Sequence, residues 1–155
     1  TVFTIIHKNQ PLETIHIFIQ ADYINEAKLV EDLELFLRDD GIKNVKLTVI
    51  SEKNVYFSQS FMTVGLLESD LLILSDDLVK DFDLSESFHV LEDYDLNAER
   101  LFVQNSQIYG LMVADHFMNN YMMVSDQSSY VFLNMSSKHN HELQLKILSF
   151  LSLYD

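Results

Sequence analysis

Within residues 13–51 the hydrophobic period changes and then changes back, and this constrains the chain more than any other feature. In "ETIHIFIQ" (13–20), Ile15, Ile17 and Ile19 alternate with Thr14, His16, Phe18 and Gln20. That is the period-two pattern of a strand rich in β-branched residues. From Ile24 to Asp40 the period lengthens. Ala27, Val30, Leu33 and Leu37, with Phe36 beside them, fall on one helical stripe, while Glu26, Glu31, Glu34 and Arg38 lie mainly elsewhere. Asp22 or Asn25 suits the helix N-cap, and Gly41 suits the residue just past its end. "NVKLTVIS" (44–51) then returns to alternation. Strand, helix, strand at this spacing predicts a βαβ unit, whose two strands are parallel and whose crossover is right-handed.

The same reading extends in both directions. Residues 2–7 are also extended in pattern, and "NQPLE" (9–13) holds the only Pro, so residues 1–12 read as an N-terminal strand and connector. A short helix is expected over part of 58–68, with Phe61, Met62, Val64 and Leu67 as its apolar contacts. Leu71–Leu74 is apolar on both faces, as a central strand buried from both sides must be. "DDLVKDF" follows as a short helix, opened by Ser75-Asp76-Asp77. In the second half, "SFHVLED", "RLFVQ", "QIYGLMV" and "YVFLNM" read as strands, with Asn105-Ser106 turning a hairpin between two of them. "DHFMNNYM" reads as a short helix, and 140–153 as an amphipathic helix packed on the sheet. No repeat or linker divides the chain, so residues 1–155 form one α/β domain: three layers around a mixed, partly parallel sheet.

Charge narrows the partners. Ten Lys and Arg against 24 Asp and Glu leave a net charge of −14. Nucleic acid and anionic membrane surfaces are disfavoured, because both are bound by cationic neutralisation. Cationic ligands, metals and basic protein patches are permitted, although such acidity is more often simply a solubility feature. With no Cys there are no disulfides, thiolate metal sites or cysteine nucleophiles. No apolar stretch is long enough to span a membrane. The first residue is Thr1, which points to removal of a preceding segment, whether a signal, an anchor or an initiator Met.

Four features carry a family resemblance. They are the βαβ unit at 13–51, then "LLESDLLILSDDLVKDF", "QNSQIYGLMV" (104–113) and "SSYVFLNMSSKHNHELQLKILSFL". Their order and wording resemble the extracellular solute-binding proteins of bacterial ABC importers, with their periplasmic-binding-protein fold. The small, often membrane-tethered Gram-positive relatives are the nearest in kind. The hairpin lacks the turn Gly and the Pro usual in that family. The resemblance implies one lobe of that fold, no catalysis, and an extracytoplasmic, membrane-tethered setting, with a cytoplasmic one as the alternative. Larger members close two lobes on their ligand. Here only about fifteen to twenty residues separate the hairpin from "YVFLN", far short of a second domain. Three outcomes follow: one open lobe binds weakly, a partner completes the cleft, or small-molecule binding has been lost.

In open α/β sheets ligands sit at the carboxyl ends of the parallel strands. The expected binding residues are therefore Asp22, Tyr23, Ser51, Ser75, Asp76 and Asp77, with Tyr109 of the hairpin approaching the same edge. Together they could hold a small polar ligand, a cationic one among the possibilities. Asp22, Ser75 and Asp76 are also ordinary capping residues, so capping is the first reading and binding the second. The alternative function is a protein-interaction or assembly module using an apolar patch or sheet edge, with homodimerisation as one form. His139, His141 and Glu142 in "KHNHE" suggest a metal, but they read better as a solvated loop before the last helix. Asp115-His116 and His89 are weighed the same way, and the acidic run 76–95 lacks the spacing of a calcium loop. No metal or cofactor is expected. No P-loop, nucleophile elbow or zinc-protease motif is present, and the reading is non-catalytic.

Overall fold

Six strands form one mixed sheet, seen in a computed structural model that describes residues 10–122 and 127–153. β1 (Thr14–Gln20), β2 (Asn44–Ile50) and β3 (Leu71–Ser75) are parallel, while β4 (Leu101–Gln104), β5 (Gln107–Met112) and β6 (Ser129–Leu133) add antiparallel pairings. The order across the sheet is β2-β1-β3-β6-β5-β4. The βαβ unit is present as expected. Residues 2–7, read as a strand, lie outside the described residues, and a 3₁₀ turn at Gln10–Glu13 leads into β1.

Alternation along the strands sends their side chains into two cores. Ile15, Ile17 and Ile19 face one side with Leu71, Ile73, Val131 and Leu133. That side is covered by α1 (Glu26–Phe36), α4 (Asp115–Tyr121) and α5 (His141–Ser152). Phe18, Leu72, Leu74 and Phe132 face the other side, against Phe57, Phe61, Val79, Leu84 and Phe88. Here the cover is α2, an α-helical turn Phe57–Ser60 continuing as a π-helix over Phe61–Glu68, and the single turn α3 (Asp76–Val79). With both faces covered, β1 and β3 are buried almost throughout, His16 and Gln20 included.

Local chemistry explains most boundaries. Asn25 caps α1, its side chain accepting from the Lys28 N–H, and Gly41 takes the left-handed conformation (φ 79°) that ends the following 3₁₀ turn. The buried stripe of α1 is Leu29, Leu33 and Leu37; Ala27 is exposed, so the helix is rotated from the stripe expected. Asn105 and Ser106 both have positive φ, 52° and 65°, and turn the β4–β5 hairpin as predicted. "SFHVLED" is a correction. It makes only isolated bridges, Phe88 to Asn134 and Leu91 to Ile108, because Phe88 packs in the second core and Leu91 in the first, so the segment passes from one face of the sheet to the other. Gly110 answers a different need. A Cβ there would sit 2.8 Å from the Phe132 ring, so its absence lets Phe132 lie across β5.

Candidate functional site

The parallel strands β1, β2 and β3 end at one edge of the sheet, and the chain leaves each end through a polar loop. β1 ends in Gln20, which is buried although polar. Its side-chain oxygen accepts the Ser75 N–H at 2.9 Å, and its amide nitrogen donates to Ser75 Oγ at 3.0 Å and to Glu52 Oε2 at 3.2 Å. One amide therefore ties together the ends of all three parallel strands. Burying such a group is tolerated only because its donors and acceptors are matched.

The network continues outward. Gln127, which leads into β6, donates to Glu52 Oε1 at 3.3 Å and to Asp77 Oδ2 at 3.4 Å. Ser75 faces Ser129 across the β3–β6 ladder, and the Asp76 N–H donates to the Ser128 carbonyl at 3.1 Å. Two further bonds join the β1 and β2 loops. Ser51 Oγ donates to Asp22 Oδ1 at 2.5 Å, and Lys53 Nζ lies 3.7 Å from Asp22 Oδ2. The Ser51 hydroxyl first, and the Lys53 charge second, hold the Asp22 carboxyl below the usual carboxylate range. The loop after β1 is fixed from behind by the Asn25 N–H donating to the Tyr121 carbonyl at 2.8 Å. Tyr121 in turn donates its hydroxyl to Asp32 on α1 at 2.6 Å, and burial together with that bond pushes the phenol upward.

Asp22, Ser51, Ser75 and Asp77 belong to this one hydrogen-bonded surface. Asp76 adjoins it, its carboxylate accepting the Asp77 N–H at 2.9 Å. Tyr23 stands on the same edge, half exposed, with Val55 and Tyr56 of the next loop exposed at 88% and 66%. Tyr109 is not among them. It is 1% exposed, packs in the second core, and hydrogen-bonds Gln107. The register pairs Gly110 with Phe132 and Leu72 with Phe132, which puts Tyr109 about 13 Å back from the Ser75 rung. Glu52 and Gln127 join the surface and Gln20 supports it; none of the three was among the predicted residues.

The choice between cap and site divides residue by residue. Ser75 is the cap: its Oγ accepts the Leu78 N–H at 3.3 Å. Asp76 assists it, its Oδ1 accepting the Asp77 N–H in the first turn of α3. The carboxylates of Asp22, Glu52 and Asp77 already accept bonds from Ser51, Gln20 and Gln127, and the cations beside them, Lys53 and Lys80, make exposed pairs worth little in water. The arrangement is rich in acceptors, anionic, and edged with apolar side chains.

The histidines go elsewhere. His139 Nε2 donates to the Thr14 carbonyl at 2.7 Å, and the His89 and His141 rings lie 4.6 Å apart. His116 meets the Phe150 ring edge-on. Among the described residues no group of three or more His, Asp or Glu is placed to hold a metal ion, and no helix is long and apolar enough to cross a membrane. No protein-family model matches the chain, and no curated protein matches it.

Proposed function

We propose that this chain is a non-catalytic binding domain that recognises a small polar, positively charged group at the carboxyl edge of its parallel strands. One observation carries the reading: four carboxylates, Asp22, Glu52, Asp76 and Asp77, stand on the loops that Gln20 and Gln127 lace together. An ammonium or guanidinium group offers only donors, and this surface offers mainly acceptors. Ligands of open α/β sheets favour this same edge. Because the loops are already cross-linked, little ordering is needed on binding, which favours affinity. The resemblance to a single lobe of the solute-binding proteins supports the same reading and suggests an extracytoplasmic setting.

A second reading has its own support. Tyr23, Val55 and Tyr56 expose apolar surface beside the carboxylates, so the cationic group would then be a Lys or Arg side chain of a protein partner anchored by those residues. Calorimetric titration separates the two. Spermidine, arginine and a Lys-rich peptide are each titrated into the chain and into the variant Asp22→Asn, Glu52→Gln, Asp77→Asn. Loss of binding in the variant is expected. Equal binding by both chains would refute the site, and binding of the peptide alone would select the second reading.

A further inference from the structure

The sheet has two edges, and they differ. β4 has four residues and a register shift between Phe102 and Val103, the kind of irregularity that discourages pairing with another chain. β2 is seven residues long with regular register, and among the described residues only β1 pairs with it. The Ile50 carbonyl accepts the Ala21 N–H, so even-numbered residues of β2 turn their backbone groups toward β1. Val45, Leu47 and Val49 therefore direct theirs to the open side. Leu47, Val49 and Ile50 remain only half buried.

We propose that β2 pairs antiparallel with β2 of a second copy about a two-fold axis at Leu47, joining the two sheets into one. The sequence of the strand fits itself in that register. Val45 meets Val49, Leu47 meets Leu47, and Lys46 meets Thr48, so apolar residues face apolar residues on one side of the joined sheet. Each outward residue both donates and accepts, which gives about six new backbone hydrogen bonds. The other registers are worse. A one-residue slip that pairs odd with even positions turns apolar side chains to the wrong face. Centring on Lys46 sets two like charges directly opposite, and centring on Thr48 shortens the overlap. Lys46, an edge lysine of the kind that blocks promiscuous pairing, here selects one register.

The surroundings agree on charge and shape. Arg38, Lys43, Lys46 and Lys53 are four of the ten cations, and they offset the acidic residues of this edge in a chain of net charge −14. α1 lies over β2, and its outer stripe opens a groove of about 720 Å³, with Val30, Leu35 and Ile42 as its apolar part. Leu35 is 60% exposed. The same two-fold sets the two α1 helices antiparallel.

Sedimentation equilibrium of the 155-residue chain, from about 1 to 200 μM in 0.15 M salt, is the test. The 18.1 kDa monomer is expected to give way to a species of twice that mass as concentration rises. Two substitutions at one position then test the register. Thr48→Glu sets a carboxylate opposite Lys46 twice per dimer and tightens association, whereas Thr48→Lys sets an ammonium there and weakens it, each by roughly three- to tenfold. Both lose the bond between Thr48 Oγ1 and His16, and urea unfolding of each variant separates damage to the fold from the change in association. A chain that stays monomeric at 200 μM overturns the proposal. So does a dimer that the two substitutions leave unchanged or shift in the same direction.

Discussion

Replacing Gln20 by Leu removes the amide that joins three strand ends while keeping a side chain of similar bulk. Ser75 is 3% exposed, so its N–H is left with neither acceptor nor water, which costs about 1–3 kcal/mol. Ser75 Oγ loses a donor as well, worth about 1 kcal/mol. Glu52 is exposed, and water replaces what it loses. The total is about 2–4 kcal/mol. At roughly 2.1 cal/mol/K per residue, 155 residues give an unfolding entropy near 0.33 kcal/mol/K, so each kcal/mol lowers Tm by about 3 °C. Calorimetry should therefore show Gln20→Leu melting about 6–12 °C below the parent. Glu52→Gln, at the exposed end of the same network, should move Tm by no more than about 2 °C, in line with substitutions at the surface. A fall of under 3 °C for Gln20→Leu would refute the claim that this amide organises the edge.

Ser75→Ala should lose about 1 kcal/mol in urea unfolding through its cap, whereas Asp77→Asn should leave stability nearly unchanged and weaken only binding of spermidine. Gly110→Ala should cost about 1–3 kcal/mol, because the new methyl group meets the buried Phe132 ring, and unfolding transitions will show whether that ring yields without penalty. Burial, and after it the Lys46 charge, lowers the His16 pKa below 6.5, against an opposing pull from Asp70 and Glu68. Protonation is then easier in the unfolded chain, so this contribution is full above about pH 6.5 and is lost as pH falls below it. Comparing the parent with His16→Gln at pH 7.5 and pH 5 isolates the effect: the parent should lose more stability on acidification, and equal losses would contradict it.

The βαβ unit was legible because its signal is local. Three isoleucines alternate in β1, the period lengthens across α1, and Gly41 punctuates the return. The hairpin was legible for the same reason, although the turn uses Asn105 and Ser106 at positive φ without the help of a glycine. The π-helix was not. Phe57, Phe61 and Gly65 recur at a spacing that also suits an α-helix, and the widening at its end, where the Ser69 N–H reaches the Val64 carbonyl, answers to packing: Gly65 fits closely against Phe18 and Leu72. At the site, Asp22, Ser51, Ser75 and Asp77 were legible because strand ends can be read from pattern. Gln20 and Glu52 are legible as strand ends but not as parts of the site, since a polar residue there looks solvated until its partner, 55 residues away in the case of Ser75, is brought beside it. Tyr109 failed because the register of β5 against β6 decides how far along the sheet it sits, and register is a tertiary property.

Thermal unfolding of the chain against matched ligand classes tests the proposed function most directly. The panel is cationic amino acids, polyamines and basic peptides, set beside acidic amino acids, neutral oligosaccharides and acidic peptides. A ligand at about one hundred times its dissociation constant stabilises by roughly 2.7 kcal/mol, or about 8 °C for a chain of this length. Recognition at the carboxylates of the strand ends predicts a saturable rise in Tm with cationic members of the panel, abolished by Asp22→Asn, Glu52→Gln and Asp77→Asn together. A flat response to every cation, or a rise produced by the acidic members instead, would contradict it.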